Sequence, residues 1–361
     1  MVLMAIDHVR VYSGVPAGGP TYGVFFTRWI THFCAPAFVF FAGTSAFFHG
    51  QRLNSRGALS RWLVTRGVWL VFLELTFLLL AWTFNVDFAH YMLLGVIWML
   101  GVCMILMGAL VYLPMPVVAG LGLAILAGHN LIKFKSDAAI WHILYGGGVF
   151  TLGHVEEPNI FVLYSILPWI GVMAAGYAFG AILTMSPVRR DRLCYAIGGG
   201  AIAAFLVLRY FNIYGDRVWK PIPNVPSLIL FLNTQKYPAS LLFLLMTLGP
   251  MIAALPLFER ARGPVARWLL VFGRVPMFYY LLHIPLIHLV AVLVSLVRTP
   301  AATAWLFADH PMNPPPHPPG YMWSLGLLYL VFAGVAIALY FPCRWYADLK
   351  ARRKSVWLSY L

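Results

Sequence analysis

Apolar residues run through this chain in stretches of about twenty, separated by short polar connections, and these stretches dominate its pattern. A helix needs roughly 20 mostly apolar residues to cross the hydrocarbon layer of a bilayer. By that measure the segments 1–13, 30–50, 62–83, 91–112, 117–133, 161–184, 193–211, 237–257, 268–296 and 321–343 are predicted spans. Gly and Pro fall inside several of them, which lipid-embedded helices tolerate when neighbours re-satisfy the backbone. The predicted fold class is all-α, a polytopic membrane helix bundle of about ten transmembrane helices. With no internal repeat, low-complexity tract or soluble domain in view, residues 1–361 read as a single transmembrane domain. The Pro-rich run from Pro311 to Pro319 reads as an external loop, because stacked prolines favour an extended backbone. The first segment is the exception. Twelve helical residues from Met1 to Tyr12 reach only about 18 Å, and without a basic leader or a long apolar run they are no signal peptide. Met1 is therefore expected to fall inside a longer, apparently truncated first helix.

Composition strengthens this picture. Hydrophobic residues make up 61% of the 361 and charged residues 10%, with a mean hydropathy of +0.82. Soluble domains are about a quarter charged, so lipid is the expected coat. The net charge of +14 is concentrated in alternate connections. Arg52, Arg56, Arg61 and Arg66 lie in one; Arg189, Arg190 and Arg192 in a second; Arg260, Arg262 and Arg267 in a third. Arg344, Lys350, Arg352, Arg353 and Lys354 follow in the tail. Short loops rich in Lys and Arg stay cytoplasmic, which predicts a cytoplasmic C-terminus. No basic helix or aromatic reading surface accompanies the charge, so nucleic acid is not an expected partner. Cys34, Cys103, Cys194 and Cys343 fall in or at the ends of four different spans, and free thiols are expected rather than a disulfide framework.

Ionisable side chains in hydrocarbon are costly and are functional candidates by default. Here they are Asp7, His8, Glu74, His129, Asn130, Arg274, His283 and His288, with Arg28, Trp29 and His32 at the outer end of the second span. Each also has a structural reading. Asp7 and Arg10, at i and i+3, can pair on one helix face. Glu74 lies about 18 Å from the cytoplasmic end of its helix and can pair with Arg274. His129 and Asn130 can serve as hydrogen bonds between helices. Histidine is the more telling residue, because it exchanges protons near neutral pH. By this topology only His49 lies near the cytoplasmic face, whereas His8, His32, His129, His142, His154, His283, His310 and His317 lie in the outer half or outside. No H-x-x-x-H or H-E-x-x-H spacing occurs, so no metal site is expected. No G-x-S-x-G elbow, Walker loop or Rossmann glycine pattern occurs either.

Several stretches resemble one family. They are "MVLMAIDHVR", "FFTRWITHFCAPAFVFFAGTSAF", "GHNLI" at 128–132 and "LPWIGVMAAGYAFG" at 167–180. "LNTQKYPASLLFLLMTLGP" at 232–250 and "FGRVPMFYYLLHIPLIH" at 272–288 follow. Together, in order and over nearly the whole chain, they resemble the catalytic domain of the heparan-α-glucosaminide N-acetyltransferase family, most of all its bacterial branch, within a wider transmembrane acyltransferase superfamily. In the polysaccharide-modifying members of that superfamily an Arg precedes a His by eleven positions on the first helix. His8 matches the His, and the Arg would fall before Met1. His8 also matches a polar site residue of a lysosomal member, and His283, in "YYLLH", matches a histidine of its late helix. For a further loop histidine of that enzyme, His32 is the nearest substitute.

The resemblance implies transfer of an acetyl or other acyl group from cytosolic acyl-CoA to an extracytoplasmic sugar hydroxyl or amine. It implies no permanently bound cofactor, with acetyl-CoA as co-substrate. His8 and His283, with Asp7 acting through a neighbouring helix, become the catalytic candidates. Arg28, Trp29, His32, Glu74, His129, Asn130 and Arg274 become candidates to line the acceptor cavity. Arg52, Arg56, Arg61, Arg66, Arg260, Arg262 and Arg267 become candidates to hold CoA phosphates by charge-assisted pairing, although each also serves as a topology signal. The expected partners are membrane lipid, acyl-CoA, a carbohydrate acceptor and a second copy in a homodimer. The expected location is a bacterial cytoplasmic (inner) membrane. The alternative class is a transporter or exporter of a small molecule or glycan precursor. Inverted repeats with broken helices would favour that class, and none is visible here.

Overall fold

A computed structural model describes the chain except residues 20, 88–90, 154–158, 308–316, 354, 356–357 and 359–361. His154, His310, Lys354 and most of the Pro311–Pro319 run lie outside the described residues. The protein is an all-α membrane bundle, 74% helical. Among the described residues seven helices are long and apolar enough to cross a membrane: Tyr22–Leu53, Arg56–Thr83, Ile166–Leu183, Pro187–Tyr210, Leu241–Arg260, Pro276–Arg298 and Leu325–Arg352. The shorter apolar helices Val96–Leu110 and Met115–Leu131 and the 12-residue helix Val2–Ser13 fall in the remaining predicted spans. Large apolar side chains such as Val297 (85% exposed) and Leu330 (70%) stand on the outside of these helices. In water such exposure would drive association; in lipid it is the favourable arrangement.

Local chemistry sets the helix ends. Ser55 caps its helix by accepting from the Ala58 amide, and Ser324 does the same for Leu327. Pro187, Pro264 and Pro276 open three helices at the position where a missing N–H costs nothing. Gly14, at φ 72°, ends the first helix in the left-handed conformation that glycine adopts without strain. The Arg56–Thr83 helix carries one widened turn, Glu74–Leu78.

Two predicted spans are corrected in detail. Segment 91–112 opens as the strand Met92–Leu94 before its helix begins at Val96. That strand pairs in parallel with Ile160–Val162, which in turn pairs antiparallel with Gly148–Phe150. Segment 268–296 is two helices, Pro264–Arg274 and Pro276–Arg298, because Val275 sits at φ −134°, ψ 54° ahead of a proline that cannot continue the helical ladder. Arg274, expected inside a span, is the exposed last residue of the shorter helix.

The chain forms two compact units. One comprises Met1–Cys34, Phe77–Asp87 and Ala261–Leu361. In it the Val2–Ser13 helix packs against Pro276–Arg298 and Leu325–Arg352. Its core is aromatic, with Tyr12, Tyr279, Tyr321 and Phe272 fully buried. Tyr321 donates to the Tyr12 carbonyl (2.7 Å), and the Trp323 amide donates to Ser13 (3.0 Å), fastening the end of the first helix. The other unit comprises Ala35–Thr76 and Phe88–Arg260. It is built on three helix pairs: Arg56–Leu73 with Val96–Leu110, Met115–Gly128 with Ile166–Leu183, and Pro187–Tyr210 with Leu241–Arg260. Gly67 and Gly101 let the first pair touch backbone to backbone. A Cβ on Gly67 would stand 2.5 Å from the Gly101 carbonyl, and one on Gly101 2.6 Å from that of Gly67. Such close approach is how membrane helices gain packing where lipid offers no hydrophobic drive.

Candidate active site

The first unit joins two histidines that lie 275 positions apart. His8 projects from Val2–Ser13 and His283 from Pro276–Arg298, and His8 Nδ1 stands 2.7 Å from His283 Nε2. The rings stack at 4.8 Å. His283 is fully buried, and its Nδ1 faces the carbonyl oxygens of Tyr280 (2.6 Å) and Tyr279 (3.1 Å). A carbonyl only accepts, so Nδ1 of His283 carries the proton and its Nε2, in the neutral ring, is an acceptor. The short contact then requires His8 to donate from Nδ1. In that state the nitrogen of the pair that can take up a proton is Nε2 of His8.

Aromatic rings enclose the pair. Trp82 meets His8 edge-on at 4.8 Å and Tyr280 at 6.4 Å, while Tyr279 stacks on His283 at 5.1 Å. Tyr12, one turn beyond His8, stacks on Trp82 and donates to its carbonyl (2.7 Å). His288, one turn after Pro285, is sandwiched between Phe84 (3.8 Å) and Tyr12 (4.7 Å). Its ring nitrogens face the carbonyls of Ala81 (3.1 Å) and Leu306 (2.8 Å), so it braces the segments around the pair. Asp7 forms an ion pair with Arg10 on its own helix (2.8 Å), and Arg10 also reaches the Val15 carbonyl (3.1 Å). Arg28 donates to the Ala17 carbonyl (3.1 Å), Trp29 packs on Phe26 and Phe33, and His32 is buried. Sequence reasoning found the two histidines through the resemblance. It missed Trp82, Tyr12 and Tyr280, whose ring contacts leave no spacing signal.

The other unit holds the remaining intramembrane candidates. Glu74 is 2% exposed, and its carboxylate accepts from the amides of Ile97 (2.9 Å) and Trp98 (3.0 Å) at the start of Val96–Leu110. It therefore caps a helix N-terminus, where the dipole favours negative charge. This bonding, with Arg274 exposed in the other unit, replaces the ion pair expected between the two. His129 is buried beside Tyr145, whose hydroxyl donates to the His129 carbonyl (2.8 Å), and Asn130 accepts from the Leu241 amide (2.8 Å).

The arginines fall into separate surroundings. Arg52 lines a cleft of about 360 Å³ with His49 and Trp62, and Arg66 lies over the Trp62 ring at 4.6 Å. Arg56 donates to the Tyr112 carbonyl (2.7 Å) and lines a second cleft, of about 350 Å³, with Gln51, Asn54 and Tyr177. Arg260 pairs with Asp191, and Arg190 pairs with Glu259 (2.5 Å), which ties the basic ends of Pro187–Tyr210 and Leu241–Arg260 together. Arg61, Arg262 and Arg267 are exposed. Among the described residues no cluster of three metal-ligating side chains occurs.

The family description "Heparan-alpha-glucosaminide N-acetyltransferase, catalytic" matches residues 1–208, more than half of the 361. That stretch contains His8, while His283 lies beyond it. No curated protein and no solved structure matches the chain. The match agrees with the resemblance seen in the first helix and in "GHNLI", and with a membrane bundle of this composition. The chain belongs to the heparan-α-glucosaminide N-acetyltransferase catalytic family, a family of membrane acetyltransferases.

Proposed function

We propose that the protein is a membrane-embedded acyltransferase that moves an acetyl or other acyl group from cytosolic acyl-CoA to an extracytoplasmic sugar hydroxyl or amine. The observation that carries this reading is the 2.7 Å contact between His8 and His283, with His283 anchored on backbone carbonyls. In the proposed step, Nε2 of His8 removes the acceptor's proton as its oxygen or nitrogen attacks the thioester carbon. Collapse of the tetrahedral intermediate expels the CoA thiolate, which takes the proton back from His8. While His8 is an imidazolium, its Nδ1–H donates to Nε2 of His283. That acceptor is fixed in place before the reaction begins, as an oriented partner of a catalytic base must be. Trp82, Tyr279 and Tyr280 keep water away from the exchange.

The donor is acetyl-CoA or a related acyl-CoA, with no permanently bound cofactor. It is taken up from the cytoplasm, the side to which the excess of basic residues assigns the arginine-rich connections. Arg52, Arg56, Arg61, Arg66, Arg262 and Arg267 are the candidates to offer charge to the CoA phosphates, and Arg260 is one in company with Asp191. The whole chain acts as one transmembrane acyltransferase-like domain in a bacterial cytoplasmic membrane, with its C-terminus inside and a homodimer as its assembly. The test is acetyl transfer by purified protein. A general base contributes about 10²–10⁴-fold, so His8→Ala should lose about that factor in turnover while still binding acetyl-CoA. Equal turnover in the variant removes His8 from the chemistry.

A further inference from the structure

The motif "LNTQKYPAS" contains a lysine that the acyl-transfer reading leaves unused. Lys236 is 7% exposed, and its ammonium faces the rings of Tyr237 (5.2 Å) and Tyr164 (5.8 Å). Among the described residues it makes no ion pair and no side-chain hydrogen bond. The acid of the same loop system is already engaged. Asp216 accepts from the Gln235 amide (3.0 Å) and the Ser240 hydroxyl (2.9 Å) through one oxygen, and from the Arg217 amide (2.6 Å) through the other. Two aromatic faces offset only part of the cost of a buried, unpaired charge.

A second observation lies beside the first. Tyr164 is followed by Ser165, the N-cap of the Ile166–Leu183 helix. Ser165 is buried, makes no capping bond, and its hydroxyl has no partner among the described residues. The first amides of a helix have no partner within it, and with Pro168 contributing none, those of Ile166 and Leu167 are left at this end. A helix N-terminus, a lone ammonium and an orphan hydroxyl favour the same kind of ligand. Trp169 and Tyr164, in contact at 5.5 Å, are buried, whereas Tyr237 is only partly buried and adds a flat face of the kind on which sugar rings lie.

We infer that Lys236, Ser165 and the N-terminus of Ile166–Leu183 bind the anionic group, a carboxylate or a phosphate, of a carbohydrate. The site lies at the far end of Leu241–Arg260 from the Arg260–Asp191 pair. It is about 30 Å from that pair at 1.5 Å per residue over 20 residues, which is the extracytoplasmic end in the orientation proposed above. The inference rests on the proposed function for the orientation of the site and for the idea that this carbohydrate is the acyl acceptor. Binding itself requires no acyl transfer.

The test uses the full chain in phosphatidylcholine nanodiscs, without acyl-CoA, and follows melting temperature and saturation-transfer NMR with glucuronate, glucose 6-phosphate and neutral glucose. At least one charged sugar should bind and raise the melting temperature, and glucose should bind at least tenfold more weakly. K236Q should melt no lower than wild type without ligand, because it removes an uncompensated charge, and should weaken charged-sugar binding tenfold or more. S165A, which leaves the lysine in place, should weaken it several-fold, so the inference stays testable if K236Q does not fold. The inference is overturned if no charged sugar binds the wild type, or if K236Q and S165A bind as wild type does. It is also overturned if nanodiscs containing phosphatidylglycerol block the sugars through Lys236 with higher affinity, which assigns the site to a lipid headgroup. Because donor and turnover are absent from the assay, failure of the acyl-transfer reading leaves its result unchanged.

Discussion

Replacing His283 with Leu tests the pairing of the two rings most sharply. In the wild type, Nε2 of His283 accepts from His8 Nδ1 at 2.7 Å, and the ring is held by the Tyr279 and Tyr280 carbonyls. Leu has no acceptor atom, so the imidazolium formed at His8 during transfer loses its oriented partner. A hydrogen bond to a charged group is worth about 1.5–3 kcal/mol, and each 1.36 kcal/mol is a factor of ten in rate. The expected loss in kcat is therefore about 10- to 150-fold. KM for acetyl-CoA should stay within about twofold, because the pair acts after the donor is bound. The assay is release of CoA thiol from acetyl-CoA with glucosamine as acceptor, in wild type, His8→Ala, His283→Leu and the double variant. Since His283 acts only through His8, the double variant should be no slower than His8→Ala alone. A multiplicative loss in the double variant, or a rise in KM with kcat preserved, would show that the two residues serve different steps and would refute the reasoning.

Three other outcomes follow from the same structure. Glu74→Ala should lower the melting temperature markedly, because it strips the amides of Ile97 and Trp98 of their acceptor at about 1–3 kcal/mol per buried group, and Glu74→Gln should cost less. If the Ala and Gln variants melt together, the capping role is wrong. Gly67→Ala should disrupt the pairing of Arg56–Leu73 with Val96–Leu110, since its Cβ would stand 2.5 Å from a backbone oxygen, and a normally folded variant would contradict that packing. A reporter fused after Leu361 should be cytoplasmic and one in the 133–159 loop external, and the same sidedness for both would overturn the orientation.

Hydrophobic length made most of this fold legible, because nothing but a membrane helix uses twenty apolar residues in a row. It failed where length was preserved and continuity was not. The break at Val275 sits in an apolar stretch on both sides, so Pro276 reads as one more tolerated proline until the backbone is seen. The strand Met92–Leu94 was hidden the same way, inside a run apolar enough to pass as helix. Of the site, His8 and His283 were visible only through the family resemblance, since no spacing rule connects residues on the first helix and a late one. The partner of Glu74 could not be anticipated, because backbone amides are identical at every position and leave no mark in the sequence. Lys236 lies within "LNTQKYPAS", but its burial against the rings of Tyr164 and Tyr237 has no mark in the sequence.

The central claim is that His8 is the base of an acyl transfer across the membrane. The most direct measurement is single-turnover transfer of radiolabelled acetyl from acetyl-CoA to glucosamine by purified protein in nanodiscs, comparing wild type with His8→Ala at equal donor occupancy. The account predicts labelled product from the wild type and a rate lower by about 10²–10⁴ in the variant. Label transferred at the same rate by both proteins would contradict it.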